Sequence, residues 1–147
     1  MQRGNQYSVI TPLMLIWLCC WNLSCGGGGG GPTNRPPEVR NTVVDRAELD
    51  FEGGVVTITA QASDPDGDEL TVQARVKRPD GTVQTVTLAK ISGSEYRGTY
   101  TVPGNPTTSS QKYEVQVMAS DGQVSAADLP LSFTVNPAET PPEAIQF

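Results

Sequence analysis

The stretch VTITAQASDPDGDELTVQARVK, residues 56–77, decides the fold. In its first half Val56, Ile58, Ala60 and Ala62 alternate with Thr57, Thr59, Gln61 and Ser63. In its second half Leu70, Val72, Ala74 and Val76 alternate with Thr71, Gln73, Arg75 and Lys77. A period of two sends successive side chains to opposite faces of an extended chain, so each half reads as a strand with one apolar and one polar face. Between them, Asp64-Pro65-Asp66-Gly67-Asp68 is made of residues that turn the chain: proline fixes φ, glycine admits positive φ, and aspartate bonds its own backbone.

The same pattern extends in both directions. Val39–Asp45 precedes the quoted stretch, and Thr82–Leu88 and Tyr96–Val102 follow it. Tyr113, Val115, Val117 and Ala119 alternate with polar neighbours, as do Leu129, Leu131, Phe133 and Val135. Turn residues separate the runs at Glu52-Gly53-Gly54, Pro79-Asp80-Gly81, Ser92-Gly93-Ser94, 103–110 and Asp121-Gly122. After residue 38 no window carries a sustained helical spacing of apolar residues. Seven short strands with such punctuation predict an all-β domain, a seven-stranded antiparallel immunoglobulin-like (Ig-like) β-sandwich over residues 39–136. A Pro-rich tail, residues 137–147, follows it.

Composition narrows the function. The chain has 147 residues, a formal charge of −6, three cysteines and no histidine. An acidic chain with dispersed carboxylates lacks the basic face that nucleic acid requires, and the same balance speaks against electrostatic docking on anionic lipid. All three cysteines (Cys19, Cys20, Cys25) and both tryptophans (Trp17, Trp21) lie near the N-terminus. The domain itself therefore has no disulfide, no Cys/His zinc site, no thiol nucleophile and no histidine-based triad.

That N-terminal segment reads as an export signal. Arg3 supplies a positive start, and Val9–Leu23 is an apolar run of about 15 residues, short of the roughly 20 needed to span a bilayer but suited to a signal peptide. It ends in Asn22-Leu23-Ser24-Cys25. This resembles the lipobox of bacterial lipoproteins, with Ser24 at the small position before the cysteine and Asn22 departing from the usual aliphatic residue. The resemblance implies cleavage of residues 1–24 between Ser24 and Cys25, and diacylglyceryl attachment and N-acylation (palmitate-type chains) on Cys25. It also implies that the protein is held on the membrane by that lipid. Gly26 at the position after the cysteine implies the outer membrane in a Gram-negative host. Residues 25–38, with the run Gly26–Gly31 and Pro32, Pro36 and Pro37, read as a flexible Gly/Pro tether whose last thirteen residues reach at most about 45 Å.

Two stretches resemble fibronectin type III, cadherin-like and other bacterial Ig-like domains: Tyr113-Glu-Val-Gln-Val-Met-Ala-Ser-Asp-Gly122, like their penultimate strand, and Ala62–Val72, like their second-to-third strand junction. The resemblance implies that Tyr113 is either the corner tyrosine of that superfamily or a core ring.

Asp64, Asp66, Asp68 and Glu69 place four carboxylates within six residues, and an Ig-like topology would bring Asp121 towards them. Two readings stand. Calcium takes six to eight oxygen ligands, which Asp64, Asp66, Asp68 and Asp121 would begin to supply; the spacing is not that of an EF-hand. Otherwise these residues make turns and cap their own backbone.

No catalytic constellation emerges, and no cofactor beyond that calcium. The leading function is a non-catalytic interaction or spacer module on the cell envelope, its partners the membrane through Cys25 and an envelope protein or polysaccharide. The alternative is a calcium-stiffened adhesion-type or carbohydrate-binding module. Sugar binding would be favoured if Tyr96 or Tyr100 lay exposed on a flat face.

Overall fold

The computed structural model describes residues 33–138. The signal peptide, Ser24, Cys25, the glycine run and the tail from residue 139 lie outside the described residues.

The expected alternation is realised in strand β3 (Gly54–Ser63), β4 (Thr71–Lys77), β6 (Glu95–Val102) and β7 (Gln111–Ser120). Val56, Ile58, Ala60 and Ala62 of β3 are buried, as are Val72, Ala74 and Val76 of β4 and Tyr113, Val115, Val117 and Ala119 of β7. Their alternate neighbours face outward, half-buried or exposed. The remaining elements are β1 (Glu38–Val44), β2 (Glu48–Leu49), β5 (Val83–Ser92), β8 (Ser125–Ala127) and β9 (Leu131–Val135). Among the described residues there is no helix.

Hydrogen bonding follows the order β1-β3-β6-β5-β4-β7-β9-β2, with β8 on β7. The path curls because β5 changes partner. Its residues Val83–Leu88 pair with β4, and Ala89–Ser92 pair with β6 across a register shift. Gly98 of β6 permits the crossing: a Cβ there would stand 3.1 Å from the Thr87 carbonyl oxygen. The apolar faces of β3 and β6 thereby come against those of β4, β7 and β9 and form one core. In it the Tyr113 ring stacks on Phe133 at 5.0 Å and meets Tyr100 at 6.5 Å.

Among the described residues nine strands replace the seven expected, and one pairing is parallel rather than antiparallel. The first run breaks after Val44, so that its continuation, β2, leaves β3 and lies parallel beside β9. Thr134 N–H donates to the Ala47 carbonyl at 3.0 Å, and Asn136 N–H to that of Leu49 at 2.9 Å. The last run also differs. Leu129, expected to face the core, is 80% exposed. Pro130 cannot donate to a ladder, so β9 begins only at Leu131. The short β8 holds the edge before it.

Two polar ties close the structure. In β1, Asn41 takes a left-handed φ of 54° where the register with β3 shifts. Thr42, buried beyond it, donates from its amide (3.1 Å) and its hydroxyl (2.7 Å) to Asp128 Oδ2. The Thr42 hydroxyl, with the Leu129 and Thr42 amides, holds the Asp128 carboxyl below its usual range against the opposing effect of desolvation. The second tie is Asn105, also buried. Its Nδ2 donates to the carbonyls of Ser109, Val135 and Asn136 at 2.8–3.2 Å. Its Oδ1 accepts from the Thr107 amide (3.0 Å) and hydroxyl (2.6 Å), and its own amide donates to the Phe51 carbonyl at 2.7 Å.

Replacing Asn105 with alanine orphans several backbone groups in a dry setting. Asn105→Ala is expected to lose roughly 2–4 kcal/mol of stability in a urea titration. A loss under about 1 kcal/mol would mean that the loop holds without this side chain.

Candidate functional site

The antiparallel order gathers the β3–β4 loop, the β5–β6 turn, the β7–β8 turn and the start of β1 at one pole. The β4–β5 hairpin, the β6–β7 loop and the end of β9 lie at the other. All four acidic residues singled out above lie in the first set.

Asp64 organises its own turn. Its Oδ1 accepts from the amides of Asp66 (2.7 Å) and Asp68 (3.2 Å), while Oδ2 is shut from solvent without a partner among the described residues. Gly67 takes φ 84°, which a Cβ would disfavour. Asp121 does the same in the other loop, its Oδ1 accepting from the amides of Gln123 and Val124, each at 2.7 Å. Asp68 and Glu69 face solvent.

The outward oxygens of Asp66 and Asp121 are taken by the chain segment that leads into β1. Asp66 Oδ2 accepts from the Arg35 amide at 2.7 Å, and Oδ1 from Nε at 2.9 Å and Nη2 at 2.8 Å. The same guanidinium donates to the Pro65 carbonyl. Asn34 Nδ2 donates to Asp121 Oδ2 at 2.8 Å. Pro37 is buried behind them. The segment read from sequence as flexible tether is therefore bound to the domain from Asn34 onward. The Arg35 amide, then its side chain, holds the Asp66 carboxyl below the usual range. The Val124 amide, followed by Asn34 and the Gln123 amide, does so for Asp121.

The structure thus brings Asp64, Asp66, Asp68 and Asp121 to one pole, but Asp64 Oδ1 and the oxygens of Asp66 and Asp121 are turned to backbone amides, Asn34 and Arg35, while Asp68 faces solvent. Among the described residues no three acidic, His or Cys side chains are grouped as a metal site requires. Arg35 brings a positive charge to Asp66, one of the four residues expected to face calcium. Its partner lies 31 residues away, a relation no local pattern carries. Beside the acidic loop runs an open cleft of about 760 Å³, lined by Asp64, Asp68, Glu69, Thr87, Lys90 and Tyr96.

The aromatic residues offer no platform. Tyr96 is 5% and Tyr100 2% exposed. The Tyr100 hydroxyl accepts from Arg78 Nε at 3.0 Å, and Lys90 covers the Tyr96 ring. Tyr113 is a core ring by its contacts. Phe51 is the one exposed aromatic residue among those described.

No family model matches the chain, and no curated protein is significantly similar to it. Among solved structures, a DUF4785 family protein from Legionella pneumophila is similar at 19% identity and TM-score 0.42, over 69% of this chain and 28% of that one. The N-terminal Ig1-2 module of the Drosophila receptor protein tyrosine phosphatase DLAR is similar at 17% identity and TM-score 0.40, over 72% of this chain and 50% of that one. The chain thus spans half or less of either structure's length.

The docked segment has a pH signature. Asp66 ionises below the usual 3.8 when folded, so its bonds to Arg35 are complete above that value and fail as pH falls through the lower folded value. NMR shifts of the Asn34 and Arg35 amides are expected to stay docked at about pH 4 and to move only in more acidic solution. Arg35→Ser should release them at neutral pH while the domain's melting temperature hardly moves, since an exposed ion pair contributes little to global stability. A midpoint at or above 3.8 would contradict the pairing. Because the Asp66 and Asp121 carboxylates are already engaged by Arg35 and Asn34, millimolar calcium is expected to leave the melting temperature unchanged. A rise of several degrees would restore the calcium reading.

Proposed function

We propose that the protein is an envelope lipoprotein, anchored through acyl chains on Cys25, whose domain is an Ig-like, non-catalytic spacer and interaction module. The observation that carries this is the route of the chain. It enters the domain at the acidic pole, beside Asp66 and Asp121, and leaves β9 at the opposite pole. A module threaded end to end holds whatever follows it at a distance from whatever precedes it. Here that distance is on the order of 33 Å, the length of a ten-residue strand such as β7.

Other observations fit. The order β1-β3-β6-β5 on one side and β4-β7-β9 on the other corresponds to the ABED and CFG sheets of the Ig-like plan, β5 serving both. The bonds of Asn34 and Arg35 fix the domain's entry, so that only residues 26–33 lie between it and the lipid-bearing cysteine. Asp64–Glu69 form a turn rather than an acid–base pair, which favours a binding role over an enzymatic one. The partner would be an envelope protein or polysaccharide, and Gly26 favours the outer membrane in a Gram-negative host. The reading requires no calcium.

Mass spectrometry of the protein recovered from bacterial membranes tests the anchor. The expected mature chain begins at Cys25 with two or three acyl chains, and Cys25→Ser is expected to abolish the modification and release the protein from the membrane fraction. An intact leader, or an unmodified Cys25, refutes the anchor.

A further inference from the structure

The dispersed charge expected from the sequence, with no basic face, does not hold over the outer face of β4 and β7. Four of the nine Lys and Arg residues among those described, Arg75, Lys77, Arg78 and Lys112, line two adjoining depressions, while of the fourteen Asp and Glu residues only Glu114 does. The depressions, of about 290 and 180 Å³, share Lys77 and Glu114 and so form one groove. The groove lies on the outer face of β4 and β7 towards the pole opposite Arg35. Arg75 and Lys77 are alternate residues of β4, paired with Gln116 and Glu114 of β7, so their side chains emerge on one face about 7 Å apart. Lys112, two residues before Glu114, continues the row.

Arg78 is held in place, and the row as a whole is little neutralised. Arg78 is fixed by Tyr100 and by Gln84, whose Oε1 accepts from Nη2 at 3.0 Å. Asp80 is turned to Thr82, accepting from its amide (2.8 Å) and hydroxyl (2.6 Å). Glu114 meets Lys77 alone, at 3.3 Å. Arg75 and Lys112 make no ion pair among the described residues.

From this geometry we infer that the groove binds a linear phosphate-bearing polymer. A row of cations on rigid strands matches a chain of repeated anions, and the two guanidinium groups suit phosphate oxygens. The lining has no aromatic anchor of the kind that centres a protein interface. The inference does not depend on the lipid anchor, and a soluble chain would bind equally well.

The test uses the full chain in mild detergent with fluorescent long-chain inorganic polyphosphate, read by anisotropy. The triple variant Arg75→Ser, Lys77→Ser, Lys112→Ser is expected to weaken binding at least tenfold and to flatten its salt dependence. Glu114→Gln, which removes the one carboxylate in the groove, should tighten it severalfold; this variant speaks even if the triple variant folds poorly. Arg46→Ser with Arg97→Ser removes two cations elsewhere and should change little. Three results would overturn the inference: equal losses in the triple variant and this control, equal binding of polyglutamate, or capture of phosphatidylglycerol vesicles in place of the polymer.

Discussion

The change of partner within β5 is the constraint on which the rest depends. Without a disulfide in the domain, two layers of strands must be joined by hydrogen bonds and packing alone. A single strand that pairs first with β4 and then with β6 supplies that join. It forces the sheet to curl, and the curl brings Tyr100 against Tyr113 and encloses the valine-rich faces of β3, β4 and β7. Hydrophobic burial then stabilises a shape that strand pairing has already chosen. The loops at both poles inherit their positions from this curl.

At those poles the chain relies on single polar side chains. Asn105 gathers three carbonyls and the Thr107 donors where β9 ends, and Thr42 ties the bulged first strand to Asp128. Buried, fully bonded groups of this kind specify one arrangement because the alternatives leave a donor or acceptor unmet. The Arg35 contacts differ in kind. They are exposed and few, and what they set is the direction from which the chain arrives rather than whether the domain folds.

Much of this was legible from the residues. The alternation in β3, β4 and β7 depends on each strand's own sequence, and every apolar residue it assigned to the core in those strands is buried except Leu70, which ends its run half-buried in the loop. What escaped depends on partners distant in sequence. A two-residue strand such as β2 has no period, and exists only because β9 lies beside it. Leu129 matched the alternation but stands next to a proline that cannot join a ladder. The acidic loop was found, and its convergence with Asp121 followed from topology. The cation that meets Asp66 in the structure, Arg35, lies in a stretch whose glycines and prolines suggest only slack. Asn105 sits among turn residues and had no local signal to distinguish it.

The parallel pairing of β2 with β9 has a mechanical consequence. The chain arrives at one pole and departs from the other, so tension between its two ends draws the β1–β2 segment one way and β9 the opposite way. The Thr134–Ala47 and Asn136–Leu49 hydrogen bonds lie across that direction and would be loaded together, in shear, rather than opened one after another as in a zipper. A domain connected in this manner resists extension best along the line that joins its two poles.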